Sequence, residues 1–305
     1  MKPPLAFLRR QVSLWLTAAI LCASALPALA GDPPPLPPLT TVSGNPRLPG
    51  KFVWADLVTD NVPAATKFYG ALFGWTFYAV GPYVIAANDE RPLCGMFQRP
   101  RPGDRPEAKP RWFGYISVAN IDRAERAVGQ AGGKVLAPPA KFPKRGEQAV
   151  CRDPEGALFG LIKSSSGDPE DFLASPGDWI WMQLLSHDAR NAAEFYRTVA
   201  GYEIVENTRD DRINDFVLTS KGYARATIRA LPEAAAKAQP TWLPFVRVAK
   251  VPDAVARTRE LGGTILFEPR PEHLGGRVAV VADPTGAAIG LLEWSEDLLP
   301  GGRQP

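Results

Sequence analysis

An internal repeat constrains this chain more than any other feature of its sequence. Phe68-Tyr69 recurs as Phe195-Tyr196 at an offset of 127 residues, and later matches keep an offset of 130, so one three-residue insertion reconciles the two. Residues 51–163 and 178–295 are therefore two copies of one domain. A polar linker with Gly and Pro, residues 164–177, joins them. The other matched positions are Trp54 with Trp181, Trp112 with Trp242, Asp153-Pro154-Glu155-Gly156 with Asp283-Pro284-Thr285-Gly286, and Gly160-Leu161 with Gly290-Leu291.

Each copy also repeats itself at an offset of about 59 residues. In the first half of copy one, an apolar run typical of a strand covers residues 53–58. Asn61 then offers an N-cap, and residues 64–73 show helical periodicity up to Gly74. The second half repeats this order, with Asn120 as the cap. Three short β-rich runs follow each helix. The pattern predicts four strand–helix–three-strand modules, two in each domain.

The first thirty residues have the order of a secretory signal peptide. Lys2, Arg9 and Arg10 precede an apolar run over 12–26, and Ala28-Leu29-Ala30 offers a small-x-small cleavage site. The apolar run is shorter than the ~20 residues of a membrane span. We therefore expect cleavage after Ala30, export to the periplasm or medium, and no span in the mature chain. Plain Sec export and twin-arginine export both remain open.

The Pro-rich residues 31–50 predict an extended spacer before domain one, and residues 296–305 form a tail. With 45% hydrophobic and 22% charged residues the chain is of ordinary globular composition. Its net charge of +3 falls to 0 without the three basic residues of the leader, which gives no reason to expect nucleic acid as a partner. Cys94 and Cys151 remain after cleavage, either as a disulfide or as buried free thiols.

Two motifs carry a resemblance to a known family. The first is the run Phe52-Val53-Trp54-Ala55-Asp56-Leu57 followed by the segment Ala64 to Trp75, whose pattern of a strand and then a helix returns in copy two. The second is the Asp-Pro-x-Gly turn before a final apolar strand, which occurs in both copies. They resemble the glyoxalase/bleomycin-resistance/extradiol-dioxygenase superfamily, also called vicinal oxygen chelate (VOC). The resemblance implies an α+β fold of tandem VOC domains that pack on each other. Each domain would hold two βαβββ modules that form an open, curled sheet around a cavity.

The resemblance also implies a divalent metal in that cavity, held by His, Glu or Gln from the first strand of each module and from the last strand. The corresponding side chains here have no nitrogen or oxygen donor suited to a metal ion. We therefore expect no metal and no other cofactor, and metal-dependent chemistry is in doubt. The corresponding positions are Trp54, Phe113 and Gly160 in domain one, and Trp181, Leu243 and Gly290 in domain two.

The aromatic residues and glycines at these former ligand positions permit two interpretations. An indole facing a glycine leaves a slot for a flat ligand, or the indole fills the space and packs a core. Because residues two apart on a strand share a face, the candidate site gains further members. Asp56 is also a weak candidate for a general base, although a solvated or ion-paired rim position competes with that role. The candidate ligand-binding residues are Trp54, Asp56, Phe113, Tyr115, Gly160, Trp181, Gln183, Phe245, Arg247 and Gly290.

These observations favour an exported protein that binds a small apolar or aromatic molecule without a metal. One alternative is a superfamily enzyme of lyase, isomerase or dioxygenase type, with non-standard ligands such as Asp56 with His187 or Gln183, or with metal-free acid–base chemistry. A second alternative is a non-catalytic scaffold with filled cavities. His187 is expected at a turn and His273 in a solvated loop. Whether the protein is an enzyme stays open at this point.

Overall fold

The computed structural model describes residues 36–40, 44–99, 109–207 and 215–294 of the 305-residue chain. The predicted signal peptide and the tail lie outside these residues. In the described ranges, two eight-stranded sheets and four α-helices make up an α+β fold, as the sequence predicted. Neither sheet closes into a barrel. Within the described ranges, no helix is both long enough and apolar enough to cross a membrane.

Domain one forms sheet 1, in the strand order β2-β3-β4-β1-β5-β8-β7-β6. The central pair β1–β5 is antiparallel, and β4 and β8 run parallel to β1 and β5 on either side. This is the arrangement of two βαβββ modules. The elements are β1 (Phe52–Thr59), α1 (Val62–Phe73), β2 (Thr76–Val80), β3 (Tyr83–Asn88), β4 (Arg91–Gln98), β5 (Arg111–Ser117), α2 (Ile121–Gln130), β6 (Lys134–Phe142), β7 (Gly146–Arg152) and β8 (Leu158–Ser164).

Domain two forms sheet 2 with the same order, β10-β11-β12-β9-β13-β16-β15-β14. The segment 231–241, which joins its modules and has a helical composition, contains only a single 3-10 turn at Glu233–Ala235. The elements are β9 (Trp179–Ser186), α3 (Ala189–Ala200), β10 (Glu203–Asn207), β11 (Asp215–Ser220), β12 (Tyr223–Ala230), β13 (Thr241–Val248), α4 (Val251–Glu260), β14 (Thr264–Phe267), β15 (Val278–Ala282) and β16 (Ala288–Glu293).

Side-chain caps and glycines set the helix ends where the sequence predicted them. The Asn61 side chain accepts a hydrogen bond from the Ala64 amide at 3.0 Å and begins α1. Gly74 ends α1 with φ +76°, a left-handed conformation that most residues avoid. Asn120 caps α2 in the same way. In domain two, the Asp188 carboxylate caps α3. The first helices of the two copies, α1 and α3, thus share their boundaries because they share these signals, whereas α4 begins after Lys250 without a side-chain cap.

The two domains pack through the faces of their sheets that carry the helices. The central strands β5 and β13 contact each other, with α2 beside α3 and α1 beside α4. Each of the two main cores combines one module from each domain. Cys94 lies in one core and Cys151 in the other, and both are buried free thiols, so the two do not form a disulfide.

The repeated Asp-Pro-x-Gly turns join the domains. Asp153 accepts hydrogen bonds from the Glu155 and Ala157 amides within its own turn, and from the Tyr196 hydroxyl of domain two at 3.1 Å. The Glu155 carboxylate accepts the amide of Asp188 at the start of α3. The turns that mark the family in the sequence therefore have a structural role at the domain interface.

The residues before β1 do not stand clear of domain one as a spacer would. Within residues 44–50, the Gly44 amide donates to the Ser166 carbonyl and the Leu48 amide donates to the buried Asp168 carboxylate at 2.6 Å. Residues 36–40, which we call the arm, lie against sheet 1 with Leu36 and Leu39 buried. The expectation of an extended spacer failed here because these apolar side chains find a surface to cover.

Candidate functional site

Among the residues that the structure describes, each sheet has one face that carries no helix, and most of the candidate site residues lie there. Along β1, Ala55 and Leu57 face the shared core, whereas Trp54 and Asp56 face the other side. The helix-free face of sheet 1 also holds Phe113 and Tyr115 of β5. The corresponding face of sheet 2 holds Trp181, Leu243 and Phe245. Residues two apart on β1 and on β5 thus share a face, as strand alternation requires.

On sheet 1, the Asp56 carboxylate is the centre of a buried hydrogen-bond network. The Tyr115 hydroxyl donates to Asp56 Oδ2 at 2.8 Å, and the Tyr83 hydroxyl donates to Oδ1. The Trp54 indole Nε1 lies 2.9 Å from both Oδ1 and the Tyr83 oxygen. Only 5% of Asp56 is exposed. Three neutral donors around one carboxylate are the arrangement that a buried acid requires.

The environment of Asp56 shifts several proton equilibria. Burial raises the pKa of Asp56, and the hydrogen bonds from Tyr83, Tyr115 and Trp54 oppose that rise. Burial, together with the nearby Asp56 charge, raises the pKa of both tyrosines well above the usual value. Neither tyrosine therefore supplies a phenolate at neutral pH. The rim position weighed for Asp56 is wrong, because its carboxyl group lies inside the domain.

Glycines on the neighbouring strands make room for these aromatic rings. A Cβ atom at Gly95 of β4 would overlap the Tyr83 hydroxyl, and one at Gly160 of β8 would overlap the Tyr115 ring. In domain two, a Cβ at Gly290 would likewise overlap the ring of Phe245. The missing side chains at Gly160 and Gly290 therefore leave no open slot. The ring from the adjacent strand occupies the space in both domains.

Arg145 and the arm cover the helix-free face of sheet 1. Arg145 follows β6 in the turn before β7, and its guanidinium carbon lies 3.9 Å from the centre of the Trp54 ring. Its Nε donates to the Pro37 carbonyl at 2.6 Å. Leu36 and Leu39 pack into the same cluster as Trp54 and Phe113. Trp54 is 4% exposed as a result, so the face is filled in this structure.

On sheet 2, the corresponding face is only partly covered. Trp181, Gln183 and Val280 keep intermediate exposure. The Trp181 indole donates to the Thr227 hydroxyl at 3.0 Å, which fixes the orientation of the ring. Within the described chain the Gln183 side-chain amide makes no hydrogen bond of its own. Phe245 and Leu243 are buried beneath them as an apolar floor.

Arg247, a candidate ligand-binding residue, and the two histidines make contacts within the protein. The Arg247 guanidinium donates to the Ala174 and Trp294 carbonyls, which ties the linker to the end of β16. His187 lies at the turn before α3, where its amide donates to Glu155. The His273 ring, in the loop before β15, contacts the ring of Phe267 at the end of β14. Asp56 is not brought together with Gln183, because they lie on helix-free faces of different sheets, and its hydrogen-bond partners do not include His187.

The metal that the resemblance implies does not fit the residues present. The ligand positions are Trp54, Phe113 and Gly160 on sheet 1, and Trp181, Leu243 and Gly290 on sheet 2. None of them offers a carboxylate, imidazole or carboxamide. Across the described ranges, no group of three or more His, Cys, Asp and Glu residues lies close enough to hold a metal ion.

Sequence reasoning missed four residues of the sheet 1 site: Leu36, Leu39, Tyr83 and Arg145. Leu36 and Leu39 are three residues apart in a proline-rich run, and a polyproline II helix has three residues per turn. Both leucines therefore project from one side of the segment, a pattern that indicates packing of this side against an apolar surface. The contact between Tyr83 on β3 and Gly95 on β4 could be predicted only if the register of these two strands were known. Arg145 in its turn shows no comparable pattern.

Comparison with known proteins agrees with this fold. Residues 51–161 match the family model described as the Glyoxalase/Bleomycin resistance protein/Dioxygenase superfamily, and residues 180–292 match the one described as a Glyoxalase-like domain. The chain belongs to this superfamily. It is a tandem member, with one family domain in each half.

Relatives and solved structures extend the match over most of the chain. The anthracycline biosynthesis proteins DauV of Streptomyces sp. (strain C5) and DnrV of Streptomyces peucetius are 29% and 28% identical, over 81% of this chain and 94% of each relative. The Mn(II)-bound glyoxalase of Novosphingobium aromaticivorans has a TM-score of 0.57 at 17% identity, covering 81% of this chain and 82% of that one. The 2,3-dioxygenase LapB of Pseudomonas sp. KL28 also has a TM-score of 0.57, at 13% identity, over 83% and 96%. These structural matches establish the superfamily fold.

Proposed function

We propose that this protein binds a flat, largely apolar small molecule on the helix-free face of sheet 2, without a metal. The observation that carries the proposal is the partial exposure of Trp181 above the apolar floor of Leu243 and Phe245, with its ring held by Thr227. Gln183, two residues along the same strand, brings an amide that can donate to or accept from a polar group of the ligand. Apolar walls with few polar groups are typical of small-molecule sites.

The relatives support the choice of ligand class. DauV and DnrV are named anthracycline biosynthesis proteins, and anthracyclines contain flat, fused aromatic rings. Such rings stack favourably on an indole. We therefore propose a fused-ring aromatic molecule as the ligand, and binding rather than catalysis as the activity of sheet 2.

The test is titration of the protein with a hydroxylated anthraquinone, followed by tryptophan emission and by calorimetry. Trp181→Ala is expected to weaken binding about tenfold, which corresponds to roughly 1.4 kcal/mol. Tyr223→Ala is the matched control, because Tyr223 is an exposed aromatic residue (58%) on the same sheet at the β11–β12 turn. Equal affinities for the Trp181 variant and the unmodified protein would contradict the proposal.

Absence of a metal requires its own measurement. Elemental mass spectrometry of the purified protein, before and after dialysis against a chelator, should find well below one equivalent of any divalent metal. Anthraquinone binding should survive the dialysis. One equivalent of retained metal would favour the superfamily enzyme with non-standard ligands over the binding protein.

Export is the remaining part of the proposal. The charged, apolar and small-residue order of residues 1–30 supports it. When the full chain is produced in a bacterial host, intact-mass analysis of the exported fraction should give a chain that begins at Gly31. Recovery of only the uncleaved chain inside the cells would contradict export.

A further inference from the structure

The arm occupies its place on sheet 1 in the way a bound ligand would. Leu36 and Leu39 are 7% and 5% exposed and fill the apolar space beside Trp54 and Phe113. The Pro37 carbonyl accepts the hydrogen bond from Arg145 Nε. The arm thus supplies two features that a small ligand would need there, an apolar body and an oxygen acceptor.

The acceptor that the arm supplies satisfies Arg145 only in part. Arg145 has no exposed surface, and the described chain gives its Nη1 and Nη2 atoms no hydrogen-bond partner. A guanidinium group has five donors in a planar fork, and a carboxylate can accept two of them at once. The Pro37 carbonyl accepts only from Nε. The Nη1 and Nη2 atoms, which together can bind the two oxygens of a carboxylate, therefore have no acceptor in the described chain.

Asp56 does not provide that acceptor, although it is the nearest acid of the cluster. Its two oxygens accept from Trp54, Tyr83 and Tyr115 instead of Arg145. The positive charge of Arg145 lies on the face of the Trp54 ring. It interacts with the Asp56 charge through space, but no carboxylate oxygen of the described residues accepts a hydrogen bond from its Nη atoms. The site therefore combines a cation, aromatic walls and an apolar space, which together suit a small aromatic or aliphatic carboxylate.

The arm and the residues that follow it are held largely by different contacts. Pro37 and Pro38 have no amide hydrogen to donate. Both hydrogen bonds between Thr40 and Ser166 are long, at 3.3 Å. Residues 44–50 are held through the buried Asp168 carboxylate and the Ser117 carbonyl, and share with Thr40 only the Ser166 carbonyl. The arm can therefore leave sheet 1 while residues 44–50 keep their contacts.

We propose that the helix-free face of sheet 1 is a second ligand site, specific for a small apolar carboxylate that binds Arg145 and displaces residues 36–40. The arm is then a built-in competitor that keeps the site closed until such a ligand is present. This site differs from that of sheet 2 in its charge and in its cover. It does not depend on the function proposed for sheet 2.

The test compares the chain from Gly31 onward with its Leu36→Ser/Leu39→Ser variant, both carrying Trp181→Ala so that binding to sheet 2 is weakened. The probe is 2-naphthoate, and the matched control is 2-naphthalenemethanol, which has the same rings without the carboxylate. Calorimetry is expected to show at least tenfold tighter binding of naphthoate to the arm variant, and little binding of the alcohol. Adding Arg145→Met to the arm variant should abolish the gain.

A measurement on the unmodified arm guards against a variant that fails to fold. Saturating 2-naphthoate should increase hydrogen exchange at the Thr40 amide, which leaves Ser166 when the arm is displaced, whereas the Leu48 amide on Asp168 should stay protected. A synthetic peptide of residues 33–40 should displace naphthoate from the arm variant. The proposal is wrong if naphthoate leaves Thr40 exchange unchanged, or if the carboxylate and the alcohol bind equally well.

Discussion

Gly95 controls whether the Asp56 network can form, and its replacement by alanine tests that network directly. The Cβ that Gly95→Ala introduces would overlap the Tyr83 hydroxyl oxygen and the ring carbon that bears it, and Tyr83 is buried at 8% exposure. Tyr83 must then give up its hydrogen bonds to Asp56 and Trp54. We expect Gly95→Ala to destabilise the fold far more than an ordinary surface substitution.

The magnitude follows from the contacts that are lost. A hydrogen bond to a charged group contributes about 1.5–3 kcal/mol, and a side chain forced into a packed core costs about 1–3 kcal/mol. Gly95→Ala should therefore lower the free energy of unfolding by about 3–5 kcal/mol. Tyr83→Ala alone should cost a similar amount, because it removes a buried ring. In the double variant the new methyl group enters the space left by the ring, and the second change should add less than about 1 kcal/mol.

The assay is urea unfolding, followed by tryptophan emission and far-UV circular dichroism, for both single variants and the double variant. The coupling energy should be about 2–5 kcal/mol, which is the cost of one single change less the small increment expected for the second. Gly129→Ala is the control, because Gly129 lies in α2 with open space around its Cβ position. Alanine there should raise stability by up to about 1 kcal/mol, since it favours a helix over glycine. Additive effects of Gly95→Ala and Tyr83→Ala, within about 0.5 kcal/mol, would refute the reasoning.

Two further predictions follow from buried titratable groups. Burial raises the pKa of Asp153 to about 6, so between pH 4 and pH 6 the folded protein holds a proton on Asp153 that the unfolded chain has lost. The folded state therefore becomes less stable as the pH rises from about 4 through 6. Asp153→Asn should therefore gain about 3 kcal/mol of unfolding free energy relative to the unmodified protein between pH 4 and pH 7, and a flat difference over that range would contradict this. Burial also raises the pKa of the Cys151 thiol to about 12, and Cys94 is equally buried. Neither thiol should react with Ellman's reagent in the folded protein, and both should react in urea; a fast-reacting thiol in the native state, or none after unfolding, would show the assignment to be wrong.

The fold was predictable because its signals are local and occur more than once. Asn61 and Gly74 mark the ends of α1 through short-range capping, and Asp188 and Gly201 mark those of α3 in the second copy. The same helix-end signals recur at a constant offset of 127 residues, so each copy supports the assignment made in the other. The modules and their order could therefore be derived from spacing alone, and the superfamily match confirms them.

The candidate site was predictable only as far as strand alternation reaches. Alternation placed Trp54 with Asp56, and Phe113 with Tyr115, on one face. It gave no indication that Tyr83 of β3 would bond to Asp56 of β1, because that contact depends on the register of two strand pairs and on the empty position at Gly95. Arg145 was missed for a similar reason, since a turn residue has no periodicity that relates it to a sheet face.

The two helix-free faces differ because some segments are present or longer in only one of the two copies. In domain one, β6 has nine residues and its hairpin with β7 brings Phe142 and Arg145 onto the face. In domain two, the equivalent strand β14 has four residues, and the loop after it contains Leu274 with 56% of its surface exposed. Residues 36–40 precede only the first copy. The duplicated fold thus carries one face closed by its own chain and one left partly exposed, and the two proposed sites differ because the local cover differs while the sheet beneath is the same.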